Sequence, residues 1–124
     1  MSEGAAVILV VDDDPFTAEL TAMALEMAGY ETVTAEGGVA ALETLASDDR
    51  VCLVVSDMNM PFMDGLQLFD ELRGNGGKQP FILLTGEEAD PIRQAHPALD
   101  AVITKDEQLQ EALPALVANL LVAP

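Results

Sequence analysis

The chain has 124 residues, half of them apolar, and carries 22 acidic against 5 basic side chains for a formal net charge of −17. That length supports one hydrophobic core and is short for two. So acidic a surface repels a phosphate backbone and argues against direct DNA or RNA binding; no apolar run reaches the roughly 18 residues that a membrane helix needs, and no basic segment precedes the first, so a cytoplasmic protein is expected.

The first predicted element is Val7-Ile8-Leu9-Val10-Val11, apolar at every position as a parallel strand covered on both faces would be. Asp12-Asp13-Asp14 ends it, and Asp14-Pro15 predicts an N-cap followed by proline at the first helical position. Phe16, Leu20, Met23 and Met27 then mark one apolar face, and Gly29 supplies the left-handed stop. Tyr30 leads into a weaker strand, Glu31 to Ala35. Gly38 to Ala46 reads as a helix that groups Val39, Leu42 and Leu45.

The third strand is Val51 to Val55, closed by Ser56-Asp57. It contains the single cysteine, Cys52, which cannot form an internal disulfide and is expected as a small buried hydrophobe. Met58, Met60 and Met63 are expected to pack beneath the following loop. Asp64 caps a third helix with Leu68, Phe69 and Leu72 inward, and Gly74-Asn75-Gly76-Gly77 ends it. Phe81 to Leu84 forms the fourth strand, followed by Thr85-Gly86. Pro91 and Pro97 leave the next helix about two turns around Ile92, with His96 as a loop residue. Ala101-Val102-Ile103 is the fifth strand and runs into Thr104-Lys105. The last helix carries Leu109, Leu113, Leu116 and Leu120, with Pro114 expected to delay its start or kink it. No repeat, low-complexity tract or linker interrupts this alternation. Five strand–helix units in an α/β order imply a doubly wound five-stranded parallel sheet in a single domain spanning 1–124.

In such a sheet the chemistry gathers beyond the carboxyl ends of the strands. Those ends present Asp12, Asp13, Asp57, Thr85 and Lys105. Crowded carboxylates raise one another's pKa or hold a cation, and an all-oxygen site with room for water suits Mg²⁺. A metal, a lysine and a hydroxyl around one nucleophilic carboxylate are what phosphoryl transfer requires. Singly, each residue has a plainer reading: a strand-end aspartate is often a cap, a threonine a turn residue and a lysine solvated surface. Asp14 is expected to be such a cap.

Ile8-Leu9-Val10-Val11-Asp12-Asp13, Val54-Val55-Ser56-Asp57-Met58-Asn59-Met60-Pro61-Phe62-Met63-Asp64-Gly65, Leu84-Thr85-Gly86 and Thr104-Lys105 together resemble response-regulator receiver domains of two-component systems, of the chemotaxis-regulator type, along the whole chain. The resemblance implies a flavodoxin-like (βα)5 fold with strand order 2-1-3-4-5. It implies that Asp57 accepts a phosphoryl group from a phosphohistidine of a sensor histidine kinase or histidine phosphotransfer protein. Asp13 and Asp57 would ligate Mg²⁺ directly, Asn59 through its backbone carbonyl, and Asp12 through water. Thr85 would bond a phosphoryl oxygen and shift on activation, Lys105 would contact the phosphoryl group, and Gly86 would leave the site open. Asn59 and Glu87 occupy positions that tune acyl-phosphate hydrolysis, and their pairing implies fairly rapid self-dephosphorylation. Such a protein catalyses only its own phosphorylation and dephosphorylation. As a chain without an effector domain, it is expected to report its state to a downstream protein partner.

Two departures bear on that report. The family often has Pro after the lysine, where this chain has Asp106, and usually an aromatic switch three residues before it, where this chain has Val102. Valine has one stiff χ1 and no ring to turn inward. Two rival readings follow. A pseudo-receiver would keep the fold as an interaction module without phosphorylation, although all the chemical positions are retained. A haloacid-dehalogenase-like phosphatase would need Asp-x-Asp with Thr or Val two further on, which Asp12-Asp13-Asp14-Pro15-Phe16 lacks, and a cap domain.

Overall fold

A computed structural model describes residues 7–121. Five strands alternate with five helices: β1 (Val7–Val11), α1 (Pro15–Met27), β2 (Glu31–Ala35), α2 (Gly38–Ser47), β3 (Val51–Asp57), α3 (Gly65–Gly74), β4 (Phe81–Thr85), α4 (Ala89–Ala95), β5 (Ala101–Thr104) and α5 (Leu109–Leu121). The strands form one parallel sheet in the order β2-β1-β3-β4-β5, the doubly wound order expected.

The period of two along each strand divides the core into two layers. Val7, Leu9, Val11, Val54, Phe81 and Leu83 face the side covered by α2, α3 and α4, while Ile8, Val10, Val55, Ile82 and Leu84 face α1 and α5. Because both faces are covered, β1 and β4 are buried at every position. The register between β1 and β3 shifts between Val7 and Ile8, opposite Cys52, whose thiol donates to the Val7 carbonyl oxygen at 3.6 Å. That irregularity puts Val51 in one layer and Leu53 in the other with an extra residue between them.

The helix ends follow the expected local chemistry. Asp14 caps α1 by accepting from the Phe16 N–H, and its second oxygen accepts from the Thr17 hydroxyl. Gly29 leaves α1 at φ +103, a conformation that glycine takes without steric cost. Asp64 and Gln67 form a reciprocal capping box at the start of α3. Leu68, Phe69 and Leu72 face inward there, and Met60 is buried with Met58 and Met63 packed around the same layer.

Three expectations about helices change. The large apolar side chains of α1, Phe16, Leu20, Met23 and Met27, are on the exposed face; the buried face is Ala18, Thr21, Ala22 and Leu25. Both sets share helical spacing, and packing against a covered sheet selects the smaller one, which lets the helix axis lie close. Val39 of α2 is likewise exposed, while Gly38 and Ala41 are buried and Leu42 and Leu45 pack at the margin. Pro114 does not delay α5, which begins at Leu109 and runs through it. Asp106 forms the turn that leads into that helix, its side chain accepting from the Gln108 N–H and its carbonyl from the Leu109 N–H. Pro114 has no N–H to return to the Gln110 carbonyl. Leu113 and Val117 form the buried line of α5, with Leu109, Leu116 and Leu120 partly buried beside it. The fourth helix is as short as its two prolines suggest and buries no residue fully.

Candidate phosphoryl-acceptor site

Three strand ends build the site. Apolar burial of β1 and β3 on both faces fixes their registers, so the carboxylates that follow those runs emerge at one edge of the sheet. Asp12 and Asp57 are both buried there, whereas Asp13 is exposed. Their carboxylate groups gather so that one oxygen from each lies within 4.8 Å of the others. Among the described residues this is the one acidic cluster compact enough to share a cation.

Lys105 closes the cluster from β5. Its Nζ is 2.5 Å from Asp57 Oδ1 and 3.8 Å from Asp12 Oδ2, and its side chain remains partly open to solvent. Buried like charges need such compensation. Burial pushes the Asp12 carboxyl above its ordinary pKa, and the neighbouring Asp57 and Asp13 carboxylates add to that; the Asp14 N–H, donating to Asp12 Oδ1 at 2.9 Å, and the Lys105 ammonium act in the opposite direction.

Thr85 is buried one step past Leu84, the residue paired with Asp57 across β3 and β4. Its carbonyl accepts from the Lys105 N–H at 2.7 Å and its hydroxyl from the Glu87 N–H at 3.0 Å. Asn59 is exposed on the loop two residues beyond Asp57. That loop returns to the site through the Gly65 N–H, which donates to the Met58 carbonyl at 2.9 Å. A Cβ at Gly65 would stand 2.6 Å from the Asp57 carbonyl and 2.5 Å from Leu83, so only glycine permits this closure. At Gly86 a Cβ would meet nothing within 4 Å, so any crowding there would come from a longer side chain.

The arrangement therefore brings together Asp12, Asp13, Asp57 and Lys105, with Thr85 and Asn59 on adjoining segments. Asp14 is not part of it, because its carboxylate is committed to capping α1. An Asp-x-Asp phosphatase site would require that carboxylate to face the cluster. The donor set is hard oxygen throughout, which fits Mg²⁺ and not a soft transition metal. His96 is the exposed C-cap of α4 and is not a member of the cluster.

Two participants nearby lack a clear signal in the sequence. Thr104 donates its hydroxyl to the Glu87 carbonyl at 3.1 Å, tying β5 to the loop after β4. Phe62 stands fully exposed on the loop after β3 with φ +69, an unusual backbone for an aromatic residue. Its place between Pro61 and Met63 in a turn was the available hint. Among the described residues no helix is long and apolar enough to cross a membrane.

A family model described as the response regulator receiver domain matches residues 8–117. The transcriptional regulatory protein GlrR of Escherichia coli strain K12 is 35% identical over 128 residues, an alignment covering 93% of this chain and 29% of that protein. The response regulator MprA of Mycobacterium tuberculosis is 42% identical over 94 residues, covering 76% of this chain and 40% of that protein. This chain thus spans less than half the length of these curated relatives. Among solved structures, the response regulator protein TrrA of Thermotoga maritima, in complex with Mg(2+)-BeF, superposes with a TM-score of 0.82 at 36% identity, covering 94% of this chain and 99% of that one. The chemotaxis protein CheY4 of Vibrio cholerae gives a TM-score of 0.79 at 27% identity, with 94% and 99% covered.

Proposed function

The chain belongs to the response regulator receiver domain family of two-component systems, and from that premise we propose that Asp57 accepts a phosphoryl group from a phosphohistidine donor in a Mg²⁺-dependent reaction. The observation that carries this reading is the pairing of a buried carboxylate with a single partly exposed ammonium at 2.5 Å, beside two further carboxylates. A carboxylate so held is oriented by its cation at the edge of the sheet.

In the reaction an Asp57 oxygen attacks phosphorus and forms an acyl phosphate. The P–N bond of the donor breaks, its electron pair returns to the imidazole nitrogen, and that nitrogen takes a proton from solvent. Charge accumulates on the three equatorial oxygens as the bond changes partners. Lys105, already beside Asp57, follows one of those oxygens. The Thr85 hydroxyl supplies a neutral donor to another once it turns from the Glu87 N–H. Asp12, Asp13, Asp57 and the Asn59 carbonyl would hold Mg²⁺, which when bound supplies the positive charge that offsets carboxylates and phosphoryl oxygens. The chain turns over no separate substrate in this scheme. Asn59 and Glu87, both exposed, would tune hydrolysis, and the acyl phosphate is expected to decay fairly rapidly.

The donor would be a sensor histidine kinase or a histidine phosphotransfer protein in the cytoplasm, and the phosphorylated form would act by altering its affinity for a protein partner. Incubation with phosphoramidate and Mg²⁺, followed by intact-mass measurement, tests the chemistry. One added phosphoryl mass is expected in wild type and none in Asp57→Asn or in excess chelator. An unmodified wild type would leave the fold as an interaction module without phosphorylation.

A further inference from the structure

The loop between β4 and α4 is held by both backbone groups of one residue. The Glu87 N–H donates to the Thr85 hydroxyl at 3.0 Å, and the Glu87 carbonyl accepts from the Thr104 hydroxyl at 3.1 Å. Thr85 belongs to the reaction site and Thr104 to the neighbouring strand, where the two residues are paired in register. Glu87 is thus a bridge between the site and β5.

Little else fixes the start of α4. Its N-cap, Glu88, makes no side-chain cap bond, and none of its seven residues is fully buried. Ala89 and Ile92 only border the core layer. A segment with so few buried contacts takes its position from its hydrogen bonds. Val102, the position where an aromatic ring could move, is buried at 4% exposure in the same layer and offers no mobile side chain.

We propose that Thr104 is a positioning residue that latches the β4–α4 loop in its resting place through the Glu87 carbonyl, so that turning Thr85 toward a phosphoryl group on Asp57 must work against this latch. The inference rests on the acceptor reading of Asp57. When the Thr85 hydroxyl turns, the Glu87 N–H loses its acceptor in a part-buried hydrogen bond, which costs free energy until the donor finds another partner. Movement of the loop toward a new acceptor or toward water relieves that cost, and the Thr104 bond resists the movement. The hydroxyl therefore sets the resting bias of the switch in a chain that lacks a movable ring at position 102.

Thr104→Val keeps the shape and removes the hydroxyl; Thr104→Ser keeps the hydroxyl. Titration of each full chain with beryllofluoride in saturating Mg²⁺, followed through the Glu87 and Ala89 amide resonances, reads the bias directly. Thr104→Val is expected to bind about two- to tenfold more tightly than wild type, the equilibrium equivalent of one net neutral hydrogen bond. Its free Glu87 resonance is expected to lie displaced toward the bound position, and Thr104→Ser should restore both wild-type values. Equal or weaker binding by Thr104→Val overturns the latch, because a merely structural hydroxyl would lower stability without favouring the bound state. Amide exchange in wild type gives a second reading that needs no variant: Glu87 protection should fall on beryllofluoride binding, and unchanged protection also overturns it. Absence of binding in wild type is a separate result, which removes the acceptor reading and the latch with it.

Discussion

The Lys105 ammonium stands 2.5 Å from Asp57 Oδ1, and both residues reach that meeting from strand ends separated by β4. The pair has two opposed consequences. The cation pairs with the carboxylate proposed to attack phosphorus, and it also occupies space and charge that a divalent ion would otherwise exploit. Lys105→Met is therefore expected to slow phosphorylation by phosphoramidate about 100-fold, as loss of one charge-stabilising donor does, while tightening Mg²⁺ binding measured by calorimetry. Weaker Mg²⁺ binding in the variant would show that the lysine does not oppose the metal.

Burial of Asp12 makes the metal-free protein sensitive to pH in a defined direction. Its folded pKa is raised, chiefly by burial, so the folded state binds this proton more tightly than the unfolded chain. Stability then falls as pH climbs from the unfolded value of about 3.9 through the raised folded value. Above that window the cost is fully present. In chelator, Asp12→Asn should melt higher than wild type at neutral pH, and the gap should close as pH drops toward the unfolded value. A gap that is constant with pH would assign the effect to something other than ionisation.

Val102 is buried among the residues of the α3–α4 layer. Installing the larger ring of Val102→Tyr is expected to overpack that layer and cost about 1–3 kcal/mol in urea denaturation. An unchanged midpoint would mean that a cavity awaits the ring.

Phe62 holds φ +69 with its side chain in solvent, so it gains no burial to offset the backbone cost. Phe62→Asn is expected to stabilise the fold by about 1 kcal/mol, since Asn adopts this left-handed conformation more readily. Loss of stability would show that the ring makes contacts in the folded chain.

The sequence made the sheet and its edge legible because two constraints act locally. Continuous aliphatic runs such as Val7 to Val11, alternating with helix-period stretches, fit parallel strands with both faces covered, and the polar residues that end them then share one edge. Asp12, Asp13, Asp57 and Lys105 meet there as their positions required. Helix faces were less legible. On α1 both Ala18-Ala22-Leu25 and Phe16-Leu20-Met23-Met27 repeat with helical spacing, and only the closeness of the sheet decides for the smaller set. The bond from Thr104 to Glu87 joins residues 17 apart in sequence and depends on how β5 lies beside the loop after β4, which no local pattern encodes.

Asp57 itself is proposed to carry the phosphoryl group. An acyl phosphate is reduced by borohydride, converting the phosphorylated aspartate to homoserine, and peptide sequencing then locates it. After treatment with phosphoramidate and Mg²⁺, homoserine is predicted at position 57 alone. Homoserine at position 12 or 13, or none at all, would contradict the account.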